Sequence, residues 1–136
     1  MYTIILPVDF FYNKYVLILN SFKNKGIEIF RVKNTWIYFD KDIPYRGINV
    51  LLYYKNGIVF EVQFHTLESY NANMSTHNLY EELLICYDPK RVQDIKCRLY
   101  KYVEGIKTPH GIYNISEYKN EKELLNRIIE YSKNLL

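Results

Sequence analysis

Glu61 and Gln63 stand in the run Ile58-Val59-Phe60-Glu61-Val62-Gln63-Phe64-His65, where a strand this hydrophobic is expected to carry apolar side chains. A carboxylate can accept a proton or hold a divalent cation, and an amide beside it can hydrogen bond to the same ligand. Such a pair on a strand marks a site. Its surroundings depend on how the strand pairs with the preceding one, Ile48 to Tyr54, across Lys55-Asn56-Gly57, a strong hairpin signal. In a two-residue turn Leu52 and Val50 would lie opposite Glu61 and Gln63, mixing both faces. In a three-residue loop closed by Gly57 in a left-handed bulge, Tyr54 pairs with Ile58, and Ile48, Val50 and Leu52 meet Phe64, Val62 and Phe60. That register leaves one wholly apolar face. Because a one-residue slip exchanges the faces of a strand, the cleaner sorting is expected. Asn49, Leu51 and Tyr53 then share the second face with Gln63, Glu61 and Val59, and Tyr45 sits at its mouth.

The strings Tyr45-Arg46-Gly47-Ile48-Asn49 and Phe60-Glu61-Val62-Gln63-Phe64-His65-Thr66 resemble the paired signature of RelA/SpoT-like alarmone synthetase domains. There a GYxSxH segment leads into a strand reading E-[VI]-Q-[IL]-R-T. Upstream, Arg31-Val32-Lys33-Asn34-Thr35-Trp36 resembles the family's R-F-K-D-Y-I, followed by a loop lysine matched by Lys41. Downstream, Thr76-His77-Asn78-Leu79-Tyr80-Glu81-Glu82 resembles a helix of a divergent, partly phage-associated branch.

The resemblance implies a nucleotidyltransferase-like fold and pyrophosphoryl transfer from ATP to the ribose 3′-hydroxyl of GTP or GDP, with Mg²⁺. By similarity Tyr45 stacks on the acceptor base, as an aromatic ring can with any purine. Glu61 acts on the acceptor hydroxyl or ligates the metal, and Gln63 supports it. Arg31, Lys33 and Lys41 neutralise phosphates, which is the main catalytic work in such a transfer. Asn49 stands where the family has His, and His65 where it has Arg; both are expected among the nucleotide contacts. The family's R-x-K segment and its metal-binding D-x-x-G-x-R strand precede this region and have no counterpart in these residues. Asp9, Asp40 and Asp42 are the nearby acidic residues, and none sits in that motif. The expectation is one domain over 1–136 without that N-terminal segment, a degenerate or split synthetase that binds a purine nucleotide. A homodimer or a complementing protein is the expected partner. The alternative is a non-catalytic module that uses the same fold to bind protein or RNA.

The elements that must position these residues can be read from punctuation. Tyr2 to Leu6 reads as a strand, followed by a helix with Asp9 at its N-cap and Phe11, Tyr15, Ile18, Leu19 and Phe22 on one side. Lys23, Lys25 and Gly26 end it. Ile27 to Val32 is a second strand, Asn34 to Pro44 a loop or short irregular strand, and the hairpin follows. Thr66 with Glu68 starts one helix carrying Leu67, Tyr70, Met74, Leu83 and Leu84. Asp88-Pro89 starts the next, with Val92, Ile95, Leu99 and Val103 in period up to Gly105. A turn-rich connection, Lys107 to Gly111, leads to a last helix capped by Asn120 with Glu123 and carrying Leu124, Leu125, Ile128, Ile129 and Leu135. The fold class is therefore α+β. A mixed or antiparallel sheet of about four to five strands, begun β-α-β-β-β, is packed by helices, with further helices at the C-terminus.

Composition excludes several classes. With 136 residues, 49% of them hydrophobic, one domain can bury a core and extensive disorder is excluded. A formal charge of +3 permits a phosphate-bearing ligand without arguing for nucleic acid. Cys86 and Cys97 lack metal spacing and are expected as reduced, partly buried thiols. His65 and His77 lack further zinc ligands at suitable spacing, and the glycines form no phosphate loop. The apolar start is broken at once by Pro7 and Asp9 and has no basic lead, so it is not a signal peptide. A cytoplasmic location is expected.

Overall fold

The computed structural model describes residues 1–37 and 44–134. Lys41, Asp40 and Asp42 lie outside the described residues. The elements run β1 (Tyr2–Ile5), α1 (Phe11–Asn24), β2 (Ile27–Asn34), β3 (Ile48–Tyr54), β4 (Ile58–His65), α2 (Leu67–Ser75), α3 (His77–Ile85), α4 (Pro89–Val103), β5 (Tyr118–Lys119) and α5 (Glu121–Asn134). The sheet order is β1-β4-β3-β2-β5. Only β1, against β4, is parallel, so the α+β class and the mixed sheet read from the sequence are observed.

The hairpin takes the three-residue register. Tyr54 pairs with Ile58, and Ile48, Val50 and Leu52 pair with Phe64, Val62 and Phe60. Gly57 at φ +87° donates its backbone N–H to Tyr54, a left-handed position that a Cβ would strain. On the first face these residues pack with Val32, Trp36, Ile112 and Ile115 under Phe11, Tyr15 and Leu19 of α1. Those three α1 residues recur at four-residue spacing, so one stripe of the helix is buried. Tyr15 meets Phe64 edge-on with ring centroids 5.0 Å apart.

The second face has its own small core at the hairpin-turn end. There Leu124 of α5 packs on Phe30 and Tyr53, with Leu51 beside them. A β-bulge in β2 makes this possible. Ile29 pairs with Leu52, but the next paired residue is Arg31, opposite Leu51, so Phe30 is the extra residue. Plain alternation would place Ile27, Ile29, Arg31 and Lys33 together. The bulge instead keeps Ile27 and Ile29 on the first face and turns Arg31 and Lys33 onto the second.

Several boundaries depart from the sequence reading. Strand β2 continues through Lys33 to Asn34 because Lys33 and Asn34 find partners in Asn49 and Ile48. Asp9 is not the cap of α1: it lies in a short 3-10 helix, Val8–Phe10, and faces Lys107 at 3.7 Å. The single helix expected after Thr66 is two, α2 and α3, meeting at Thr76. The Thr76 hydroxyl donates back to the Ala72 carbonyl at 2.7 Å, a local bond that competes with helix continuation. Leu67, Met74 and Leu84 of those helices are exposed. Asn120 precedes α5, but its side-chain amide donates to the Tyr118 hydroxyl. Cys86 is half-buried and Cys97 is exposed. The pairing of β5 with β2 was not anticipated. Among the described residues no helix is long and apolar enough to cross a membrane.

Candidate functional site

Strand pairing lays two rows of side chains across the second face. One row is Thr3, Gln63, Asn49 and Lys33, and the other is Glu61, Leu51, Arg31 and Lys119. Directly paired residues point to the same side of a sheet. The sequence-predicted residues Glu61, Gln63, Asn49, Arg31 and Lys33 are therefore brought together. The face is bounded at the turn end by α5, through Leu124. At the other end it is bounded by Tyr45 and α2.

Glu61 Oε2 accepts a hydrogen bond from Arg31 Nη2 at 3.1 Å, in a pair that is mostly shielded from solvent. Its other oxygen, Oε1, makes no hydrogen bond among the described residues. Among the described residues the Gln63 amide is likewise without a side-chain hydrogen bond and Lys33 has no ion-pair partner. Arg31 also reaches Glu121 of α5, Nη1 to Oε1 at 3.5 Å, and its buried Nε has no hydrogen-bond partner among the described residues.

Tyr45 stands on the rim. Its hydroxyl donates to Asn49 Oδ1 at 3.0 Å and lies 3.1 Å from His65 Nε2. Burial, reinforced by the negative charge of Glu61, pushes the phenol pKa well above its ordinary value, and the Asn49 bond offsets part of this. Tyr45 stays a neutral phenol at any working pH. Gly47 lies beneath the pair: a Cβ there would come within 2.7 Å of the Tyr45 hydroxyl and 2.9 Å of His65 Cε1.

His65, expected among the nucleotide contacts, is fully buried. One ring nitrogen faces Tyr45 and the other lies 2.9 Å from the Ser69 hydroxyl in the first turn of α2. Ser69 belongs to the capping box in which Thr66 accepts from the Ser69 N–H. With both nitrogens engaged, His65 positions Tyr45 and does not itself line the open face. Burial drives its pKa down to about 4, offset in part by a hydrogen bond with the Arg46 backbone.

The sequence reading missed the C-terminal contribution. Asn34, fully buried, donates its amide to the Ile112 and Ile115 carbonyls at 2.9 and 3.0 Å and accepts from the Trp36 N–H. This clamp brings the connection to the end of β2, where β5 pairs so that Lys119 lies opposite Arg31. The Asn120 N–H then donates to the carbonyl of the bulged Phe30 at 2.8 Å, and α5 begins. A cavity of about 480 Å³ results, lined by Arg31, Lys33, Asn49, Lys119, Glu117 and Glu121 among others. A two-residue strand has no periodicity to detect. The only sequence signal was a lysine just before a capped helix.

Metal fit can be judged from the donors. Glu61 offers one carboxylate oxygen, and the described residues contain no group of three His, Cys, Asp or Glu side chains that could hold a metal ion. They do not by themselves fit a resident Mg²⁺.

Two solved structures to which the chain is similar are small alarmone synthetases. Small alarmone synthetase 2 from Bacillus subtilis matches at 18% identity with a TM-score of 0.49, over 75% of this chain and 55% of that one. Small alarmone synthetase 1 from Bacillus subtilis, bound to its product pppGpp, matches at 16% identity and a TM-score of 0.49, over 92% of this chain and 58% of that one. The chain thus spans little more than half the length of either enzyme. No family model matches the sequence, and neither does any curated protein.

Proposed function

We propose that this chain is a RelA/SpoT-like domain that binds a purine nucleotide on the second face of its sheet, as a degenerate or split pyrophosphokinase. The observation that carries the reading is the convergence of Glu61, Gln63 and Asn49 with Arg31 and Lys33 between two covering elements. The motif resemblance at Tyr45 to Asn49 and Glu61 to Gln63 supports it. Phosphates fit the Arg31 and Lys33 end, where guanidinium and ammonium groups supply charge-assisted hydrogen bonds. The ribose and base fit towards Asn49, Gln63 and Tyr45. Oε1 of Glu61 is able to accept a proton from an acceptor hydroxyl there, and Gln63 can orient that hydroxyl.

Calorimetric titration of GTP, GDP, ATP and ADP, with magnesium, checks the reading. The wild type is expected to bind a guanine nucleotide at sub-millimolar concentration. Glu61→Ala is expected to bind at least as well, since it releases Arg31, while any transfer from ATP to GTP seen with the wild type is lost. No binding of any nucleotide at millimolar concentration would remove the proposal.

A second reading rests on the β1 edge. Among the described residues β1 pairs only with β4, and its Tyr2 and Ile5 are exposed. An open strand edge can accept another chain by backbone pairing. Through it the module would bind a complementing protein or a second copy. Light scattering across a concentration series, alone and with candidate partners, tests it; a strict monomer that binds no partner would exclude it.

A further inference from the structure

Phosphate chemistry in the groove is not set by Arg31 and Lys33 alone. Lys119 sits opposite Arg31 in the sheet register and lines the same cavity, so three cations from β2 and β5 converge on one wall. Two of the three are held by a single carboxylate. Glu121 lies 3.5 Å from Arg31 Nη1 and 3.8 Å from Lys119 Nζ. Glu61 is the other carboxylate on Arg31. It differs in being closer, at 3.1 Å, and in being 22% exposed against 48% for Glu121.

We infer that this groove is a polyphosphate subsite in which Lys119 is the third cation and Glu121 is the carboxylate that an incoming polyphosphate displaces. The inference rests on the nucleotide reading above and adds residues that reading does not use. Glu121 is the yielding partner for physical reasons. It is the first residue of α5, its side chain is half in solvent, and exposed ion pairs at such separations contribute about 0–1 kcal/mol. A phosphate oxygen offers Arg31 and Lys119 a more highly charged acceptor at shorter range. Glu61 sits deeper and keeps Arg31 aimed across the sheet. Glu117 also lines the groove, but its carboxylate accepts from the Asn34 backbone N–H at 3.0 Å and is fixed to the strand end. Arg31 and Lys119 are therefore held by one half-exposed carboxylate that a polyphosphate can replace.

Titration calorimetry with inorganic triphosphate and with GTP, at low ionic strength, on the wild type, Lys119→Ala, Glu121→Gln and Lys122→Ala tests the inference. Lys122 is a neighbouring exposed lysine outside the cavity lining, so its loss controls for net charge. Lys119→Ala is expected to weaken triphosphate binding by roughly fivefold or more, Glu121→Gln to tighten it by a similar factor, and Lys122→Ala to change it by less than about twofold. Circular dichroism melts confirm that each variant folds. Equal losses for Lys119→Ala and Lys122→Ala, or no gain from Glu121→Gln, would overturn the subsite while leaving the nucleotide reading in place if GTP still binds. Triphosphate binding with the expected variant pattern, and no added affinity for GTP, would uphold the subsite and remove the purine. Absence of binding by both probes would overturn both.

Discussion

His65 shows how a residue's chemistry follows from its surroundings more than from its type. A histidine near a phosphate site is commonly a ligand or a proton carrier, but this one is sealed between Tyr45 and Ser69 and is neutral at physiological pH. Its folded pKa near 4 lies below the ordinary value of 6.5, so the unfolded chain takes up a proton that the folded ring refuses. The stability this histidine supplies is complete above pH 6.5 and is lost as the pH falls from there towards 4, by up to about 3 kcal/mol. Urea midpoints at pH 7.0 and 5.0 should therefore drop more for the wild type than for His65→Gln, whose amide can still bond Tyr45 and Ser69 without titrating. Equal drops would mean that the ring is not sealed. Tyr45 and Asn49 depend on this arrangement, because the phenol hydroxyl is fixed by its bonds to Asn49 and His65 and by the close fit over Gly47.

At the scale of elements, what the sequence showed and what it hid divide along local and tertiary lines. The hairpin register was legible because Asn56-Gly57 and strict alternation act within about ten residues, and they alone place Glu61, Gln63 and Asn49 on one face. The bulge at Phe30 was not legible. Its cause lies in the pairing of β2 with β3 and in the Phe30 carbonyl that receives the Asn120 N–H some ninety positions later. Without that bulge Arg31 and Lys33 would face α1. The β5 strand was hidden for the same reason, since two residues carry no period and Asn34 read as part of a loop. Asn34→Ala tests how far the C-terminal segment depends on this one amide. It would strip the Ile115 carbonyl and the Trp36 N–H of these partners and leave the Ile112 carbonyl with only the Ile115 N–H, at a cost of about 2 kcal/mol or more. The urea midpoint is expected to fall accordingly, limited proteolysis to cut between 104 and 120, and triphosphate binding to weaken with the loss of Lys119 from the groove. An unchanged midpoint would show that the connection is held by the apolar packing of Ile112 and Ile115 and its other hydrogen bonds, without need of the Asn34 amide.

The whole molecule is a sheet with unequal faces: α1 and the connection through Ile112 and Ile115 cover the first, whereas the second is covered at its ends by α5 and by the helices after β4, leaving the polar rows between them. α5 is tied to the sheet by Leu124, by Asn120 and by the Arg127–Glu28 ion pair at 3.0 Å, none of which depends on a ligand. A polyphosphate held by Arg31, Lys33 and Lys119 would add a tie between β2 and the strand that leads into α5. It would bind the folded chain alone, so mass action requires it to raise stability, by about 2.7 kcal/mol at a hundredfold excess over its Kd. For a domain of this size that corresponds to roughly 8–12 °C in Tm. The net charge of +3 is too small to attract a polyanion from afar, so the attraction is local to the groove and should fade as salt shortens the Debye length. Thermal melts with GTP are therefore expected to shift upward at low ionic strength, less at 0.5 M salt (Debye length about 4 Å), and by a reduced amount in Lys33→Ala. A partner that adds to the β1 edge would instead raise Tm without regard to Lys33, because that edge lies across the sheet from β2. An upward shift by GTP that is undiminished in Lys33→Ala would move the ligand away from this face.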